Sequence, residues 1–151
     1  DIVFKEKTIY HDPTLYIYIS SKHITTDAPK GAENWFVLIN APNNEGQDWD
    51  ELIIKSRQFA IEKINKILNT SIEEHIEFEK CISPTSIEMD YSSAFGAVYG
   101  NSSNNKFAAF LRHANFSRKI KNLYFVGGSV HPGAGIPMCL NSAKIMEQVM
   151  T

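Results

Sequence analysis

The sequence predicts a mixed α+β fold, with an antiparallel-rich sheet, one long amphipathic helix and a C-terminal strand–loop–helix unit. Two short runs of aromatic and β-branched residues, at 15–20 and 35–41, are separated by a polar stretch. Apolar residues then recur at spacings of three and four from position 49 onward. Near the C-terminus, an apolar run meets a segment dense in glycine and proline, and a helical pattern follows.

The first half of the chain contains the sheet and the long helix. The two apolar runs are expected to pair through a hairpin-type loop, because residues 25–34 are polar and include Pro29 and Gly31. Asp48 is the expected N-cap of the helix, and Glu51 three positions later completes a capping box. The apolar period then predicts a helix that continues to about Asn69.

The middle of the chain is less regular. Residues 72–82 alternate apolar and charged side chains, which predicts a half-buried strand packed beside the long helix. Ser83 and Pro84 predict a short helix, with the serine as cap and the proline at the first position. Residues 91–105 have no period, and with Phe107 and Phe110 they form an aromatic-rich segment. Such a segment either lines an elongated apolar pocket or packs as a loop on the core.

The most unusual composition lies near the C-terminus. Residues 123–126 predict a short buried strand, and residues 127–137, the glycine loop, contain six glycines or prolines. Strand, glycine-rich loop and helix together let backbone N–H groups approach an anionic or electron-rich ligand. Pro137 fits the first turn of the helix, so the N–H groups of Met138, Cys139 and Leu140 are expected to point out of its N-terminus. A tight structural turn is the alternative interpretation.

Composition narrows the classes of function. A length of 151 residues fits a single domain, and a net charge of −2 with a pI near 6.2 argues against nucleic acid as a partner. Cys81 and Cys139 lie far apart without metal-ligand spacing, which indicates a reducing, cytoplasmic setting. No apolar run approaches the length of a membrane span, so any membrane contact is expected to be peripheral. The basic group before the last strand is interpreted as a solvated connection; it comprises Arg112, His113, Arg118, Lys119 and Lys121.

Other catalytic patterns fit poorly. Residues 127–131 nearly form G-x-S-x-G, but His131 replaces the second glycine and the helix starts too late for a nucleophile elbow. The five histidines are scattered, with no i, i+4 pair, so no metal site is expected. His113 and His131 are weak candidates for an acid or base, because a lone histidine is more often structural. The sequence therefore assigns no catalytic side chain.

The stretch LYFVGGSVHPGAGIPMCLNSAK resembles the C-terminal signature of the phytoene desaturase and carotenoid desaturase family, which includes retinol-saturase-like enzymes of the amine-oxidase superfamily. That family has a strand, then Thr-His-Pro-Gly-Ala-Gly-Ile-Pro, then a helix with Ser-Ala-Lys. DPTLYIYIS, WFVLINAP, DWDELIIKSR and ISPTSIEMDYSSAFGAVYG also correspond in order, so the resemblance covers nearly the whole chain. The matching signature residues are Gly127, His131, Pro132, Gly133, Ala134, Gly135, Ile136, Pro137, Ser142, Ala143 and Lys144.

The sequence departs from the family pattern at a few positions. Gly128 and Ser129 replace Ala-Gly, Asn141 is uncommon, and Met138 replaces a glycine, which is expected to alter how closely a flavin ring approaches. The family also opens with a Rossmann unit whose G-x-G-x-x-G binds the ADP half of FAD. Here only a G-x-G at residues 133–135 is present, at the other end of the chain. The chain is therefore expected to be the C-terminal part of a longer flavoenzyme.

The resemblance implies an FAD-dependent oxidoreductase that desaturates or saturates a carotenoid or isoprenoid polyene by hydride transfer with the flavin. It assigns residues 1–121 to a substrate-binding domain and residues 122–151 to the FAD-binding domain. Alone, the chain is expected to be inactive and to lack FAD, and its apolar surface is expected to favour self-association. The alternative is a non-catalytic small-molecule-binding or interaction module with a structural glycine turn. The residues expected to contact FAD are Gly127, Gly128, Ser129, His131, Gly135, Ile136, Pro137 and Met138.

Overall fold

The computed structural model describes residues 2–99 and 112–150. Within these residues it contains three α-helices and a two-stranded antiparallel sheet, which confirms the predicted mixed α+β class. Contacts between residues divide the chain into two units, Asp1–Gly96 and Ala97–Thr151. The contacts thus group residues 112–121 with the C-terminal helix. The predicted assignment of residues 1–121 and 122–151 to two functional domains stays a prediction.

The sheet of the first unit is a two-stranded ribbon. Strand β1 (Leu15–Ile19) pairs antiparallel with β2 (Trp35–Ile39), and Ile17 lies opposite Val37. Both strands were predicted from their aromatic and β-branched residues. Their middle residues are exposed on both faces of the ribbon: Tyr16, Ile17, Tyr18, Phe36, Val37 and Leu38.

Helix α1 (Trp49–Leu68) has the predicted N-cap. The Asp48 carboxylate accepts the Glu51 N–H at 3.0 Å. The predicted capping box is wrong in its second half, because the Glu51 carboxylate pairs with Lys55 one turn later instead of accepting the Asp48 N–H. Asn69 ends the helix in the left-handed conformation. The buried side of α1 forms the small core of this unit, which comprises Ile9, Trp49 and Leu52 with Ile39 and Phe59 packed against it.

The predicted strand at residues 72–82 is wrong. Ile72–His75 is a short 3-10 turn, and residues 76–82 form no strand. The Asn65 side chain accepts the Ile72 N–H at 2.7 Å, which turns the chain directly after α1. Phe78 is 85% exposed, so the alternation follows a solvated segment. Alternating sequence does not make a strand without a neighbouring edge to pair with.

Helix α2 (Pro84–Tyr91) follows its predicted signals. Ser83 and Ser86 form a reciprocal capping box, and Pro84 is the first helical residue. Ala94–Gly96 then forms a 3-10 turn, and the side chain of Phe95 is more than half exposed. Phe107 and Phe110 lie outside the described residues, so the apolar pocket predicted for this aromatic-rich segment stays a prediction.

The second unit contains a short hairpin and the C-terminal helix. The Phe125 N–H donates to the Asn115 carbonyl at 2.7 Å, the Ser117 N–H donates to the Leu123 carbonyl at 2.9 Å, and Phe116 lies opposite Tyr124 in one antiparallel bridge. The predicted buried strand at residues 123–126 is therefore wrong. Within the described part of the chain, residues 123–126 pair only with this short segment, and Val126 is 55% exposed.

Helix α3 (Ile136–Met150) covers the predicted C-terminal helix. It begins directly after Gly135, one residue before the predicted start at Pro137. Met146 and Ser142 are its buried residues. Across residues 2–99 and 112–150, no helix combines the length and apolar character needed to cross a membrane.

Replacement of Asp48 by alanine is expected to lower the free energy of unfolding by about 1 kcal/mol, because the Glu51 N–H loses its acceptor. Urea unfolding followed by tryptophan fluorescence measures the change. Asp50→Ala removes the same charge from the first turn of α1 without removing that hydrogen bond, and it is expected to cost well under this amount. Equal losses in the two variants would contradict the capping role.

Candidate functional site

Two buried polar side chains hold the glycine loop. Asn115 is 5% exposed and Ser142 is fully buried. The Asn115 amide nitrogen lies 2.8 Å from the Ser142 hydroxyl oxygen, 2.8 Å from the His131 carbonyl oxygen and 3.1 Å from the Phe125 carbonyl oxygen. The Ser142 oxygen also accepts the Gly127 N–H at 3.2 Å. This Asn115–Ser142 clamp ties together the segment before the loop, the loop itself and α3.

The clamp is buried on the inner face of α3. Ser142 lies three residues after Cys139 and four before Met146, so helical spacing places it on the same face as the buried Met146. A buried hydroxyl or amide is costly unless it is hydrogen-bonded, and here each bonds to the other. From the sequence, Ser142 was predicted only as a match to the family signature, and Asn115 was not predicted at all. The available signal was the position of Ser142 at helical spacing between Cys139 and Met146, which places a polar residue on the apolar face of the predicted helix.

Arg112 and His113 form a second support beneath the loop. The Arg112 guanidinium donates to the Gly128 carbonyl at 2.6 Å, and a side chain added at Gly133 would meet it at 3.4 Å. The His131 N–H donates to the His113 carbonyl at 3.0 Å. The His131–Pro132 peptide bond is cis. The loop is therefore fixed at Gly128 by the Arg112 side chain and at His131 by a main-chain hydrogen bond to His113.

The main chain of the loop is open at two glycines. Gly127 has φ of 130° and Gly135 has φ of 99°, conformations that favour glycine. A Cβ atom added at either position would meet no atom of residues 2–99 or 112–150 within 4 Å. Gly128 differs, because its Cβ would lie 3.3 Å from the Ala134 Cα and 3.6 Å from the Cys139 sulfur. The main chain is thus bare at Gly127 and Gly135 and enclosed at Gly128.

The start of α3 corrects the prediction for its N–H groups. The Cys139 N–H donates to the Gly135 carbonyl at 2.9 Å, because the helix starts at Ile136, so this group is not available to a ligand. Leu140 lies beyond the first turn, where N–H groups bond within the helix. Pro137 has no N–H. The amides of Ile136 and Met138 have no hydrogen-bond acceptor in the described part of the chain.

The predicted contact residues therefore fall into separate groups. Gly127, Gly135 and the first turn of α3 supply open main chain, and the Ile136 and Met138 side chains are 78% and 45% exposed. Ser129 and His131 are exposed, and Gly128 faces into the loop. The loop thus offers backbone surface and apolar side chains rather than charged side chains.

A cationic groove lies beside the loop. It has a volume of about 790 Å³ and is lined by residues 112–119 together with Phe125 and His131. His131 is the one predicted contact residue that lines it. No carboxylate of residues 2–99 or 112–150 lines it, and residues 97–151 contain six lysines and arginines against a single acidic residue, Glu147. This unit therefore carries a positive potential.

The chain is similar to carotenoid-modifying enzymes along nearly all of its length. It is 56% identical over 150 residues to a 1-hydroxycarotenoid 3,4-desaturase from Flavobacterium sp. (strain P99-3), which covers 99% of this chain. It is 39% identical over 149 residues to a 4,4'-diaponeurosporene oxygenase from Staphylococcus aureus and 37% identical to one from Staphylococcus haemolyticus. No protein-family model matches the chain.

The matched regions are only a part of these relatives. The chain spans 31% of the length of the Flavobacterium enzyme and 30% of the length of the Staphylococcus enzymes. The similarity therefore applies to one segment of each relative.

Replacement of Ser142 by alanine is expected to leave the Gly127 N–H without its acceptor and to remove one of the three acceptors of the Asn115 amide, at a cost of about 1–3 kcal/mol. Native-state hydrogen exchange measured by NMR should show faster exchange at Gly127. Ser129→Ala alters an exposed hydroxyl of the same loop and serves as the matched control, with exchange unchanged. Unchanged Gly127 exchange in Ser142→Ala would disprove the clamp.

Proposed function

We propose that the glycine loop and the start of α3 form one wall of an FAD site. The premise is that this chain is homologous to a segment of carotenoid desaturases and related carotenoid-modifying oxidoreductases. In this proposal the protein is an FAD-dependent oxidoreductase that desaturates or saturates a carotenoid or isoprenoid polyene. When bound, FAD supplies hydride transfer. The 151 residues contribute a wall of the site and part of the substrate region.

The bare main chain beside the helix N-terminus is the observation that supports the proposal. Gly127 and Gly135 present no side chain, and no atom of the described residues lies within 4 Å of where a Cβ would stand, so a flat ring system can approach the backbone. The N–H groups of Ile136 and Met138 lie at the positive end of the α3 dipole. Such an end stabilises a ring edge that gains negative charge. The residues present therefore fit a flavin.

Other residues of the loop hold this surface in place. The Asn115–Ser142 clamp fixes the Gly127 N–H and the His131 carbonyl, and Arg112 fixes the Gly128 carbonyl. A backbone fixed by such hydrogen bonds does not have to reorganise when a ligand binds. The half-exposed Met138 side chain would limit how closely a ring approaches from the α3 side.

The partners follow from the same homology. An apolar polyene as substrate explains why the chain would retain large exposed apolar surfaces, such as the two faces of the β1–β2 ribbon. A polyene also partitions into lipid. We therefore propose that the protein is cytoplasmic and contacts a membrane peripherally. The same apolar surface would drive self-association of the isolated 151 residues. No nucleic acid or metal takes part.

A second candidate function rests on the internal bonding of the loop. The Gly127 and His131 N–H groups and the Gly128 carbonyl all bond within the chain. This arrangement also suits a purely structural turn in a non-catalytic binding or interaction module. The two candidates differ in whether the open faces at Gly127 and Gly135 contact a flavin.

The isolated 151 residues are expected to bind FAD weakly or not at all, because they lack the G-x-G-x-x-G turn that binds the ADP half. Equilibrium dialysis with FAD measures this directly. The protein that the complete gene encodes, in the same buffer, serves as the comparison and is expected to retain flavin. A tight stoichiometric complex of the isolated residues would contradict the expectation.

In that complete protein, Met138→Asp is expected to weaken flavin binding by about tenfold or more, because it places a negative charge where the flavin edge gains one. An aspartate in the first turn stabilises the helix, so a loss of flavin would not come from unfolding of α3. The bound flavin is measured from its visible absorbance.

Leu140→Asp is the matched control, because Leu140 is also an exposed apolar residue near the start of α3 but lies two residues on, on another face. It is expected to retain flavin. A complete protein without flavin would contradict the proposal, as would equal loss in the two variants.

A further inference from the structure

Residues 115–125, the basic hairpin, present an ordered tip to solvent. Its two arms pair through Phe116 and Tyr124. The Ser117 hydroxyl oxygen accepts the N–H groups of Lys119 at 3.2 Å and Ile120 at 3.0 Å. Asn122 adopts φ of 62°, which closes the turn. The side chains of residues 118–121 are therefore displayed from a fixed turn rather than from a flexible loop.

The tip combines positive charge with exposed apolar side chains. Arg118, Lys119 and Lys121 are exposed, and none of the three pairs with a carboxylate of residues 2–99 or 112–150. Ile120 lies among them and is 58% exposed. In the arms, Phe116 is 46% exposed. Neither the core of this unit nor the proposed flavin wall uses these side chains.

The positive charge of the tip is part of a difference in charge between the two units of the chain. Residues 97–151 contain six lysines and arginines and one acidic residue, whereas residues 1–96 contain sixteen acidic and nine basic residues. The net charge of −2 therefore conceals a strongly positive C-terminal unit. A local excess of one sign attracts a surface of the opposite sign even when the whole chain is close to neutral.

We infer that the basic hairpin docks on the surface of an anionic lipid bilayer. Arg118, Lys119 and Lys121 lie near the lipid phosphates, and Ile120 enters the headgroup region, where an aliphatic side chain leaves water. An aliphatic residue at the centre of the tip suits a bilayer better than a nucleic acid, which is bound through aromatic stacking between the cations. The ordered turn reduces the entropy lost on docking.

The inference deepens the peripheral membrane contact of the proposed function by naming the surface that makes it. It rests on that proposal only for the expectation of a membrane. Its test uses vesicles free of polyene and flavin, so a negative result here leaves the flavin proposal intact, and the loss of the flavin proposal leaves this test valid.

The test is cosedimentation of the 151-residue chain with phosphatidylcholine vesicles that either contain or lack phosphatidylserine. We expect binding to the phosphatidylserine vesicles, weaker at high salt, and little binding to phosphatidylcholine alone. The triple variant Arg118→Gln, Lys119→Gln, Lys121→Gln is expected to lower the partition coefficient roughly a hundredfold. Ile120→Ser keeps all three charges and is expected to lower it about tenfold.

The matched control is Lys30→Gln, Lys66→Gln, Lys80→Gln, which removes three positive charges from exposed positions of the first unit. It is expected to bind the vesicles as the unmodified chain does. Circular dichroism establishes that each variant is folded, and Ile120→Ser keeps the test valid if the triple variant is not.

Three results would overturn the inference. The first is no binding of the unmodified chain to phosphatidylserine vesicles. The second is an equal loss in the control and in the hairpin variants. The third is tighter binding of the chain to an oligonucleotide than to the vesicles, which would assign the cationic tip to nucleic acid.

Discussion

The hydrogen bonds between Asn115, Ser142 and the glycine loop are the constraint on which the C-terminal unit depends. A loop with six glycines and prolines in eleven residues has few side chains with which to pack, so its conformation must be fixed through its main chain. The clamp does this from one side by bonding the Gly127 N–H and the His131 carbonyl. Because both side chains are buried, loss of either would leave unpaired polar groups in the interior.

The loop can be hydrogen-bonded within the chain and still present bare main chain, because the two properties involve different groups. The internal bonds at Gly127 and His131 use main-chain groups that face the preceding segment and α3. No atom of residues 2–99 or 112–150 approaches within 4 Å of the position that a Cβ atom would occupy at Gly127 or Gly135. A rigid backbone with an uncovered face is the property that a ring-binding wall requires, since the ring needs close approach more than it needs charged partners.

The sequence predicted elements whose signals are local and missed features that depend on distant partners. The caps at Asp48 and Ser83 and the strands of the ribbon follow from neighbouring residues, and all four are present. Residues 72–82 and 123–126 have strand-like patterns, but pairing needs an edge that the pattern cannot report. Asn115 and Ser142 are 27 residues apart, and neither has a local signature, so their contact was visible only in the structure. The position of the glycine loop was predicted from composition, but the hydrogen bonds that fix the loop were not.

The central claim is that the main chain at Gly127 and Gly135, beside the first turn of α3, borders the flavin ring. A crystal structure of the protein that the complete gene encodes, with its cofactor bound, tests this most directly. We expect ring atoms of the flavin to lie within about 4 Å of the Gly127 or Gly135 backbone, in van der Waals contact with it. A flavin bound elsewhere, or other side chains covering both glycines, would contradict it.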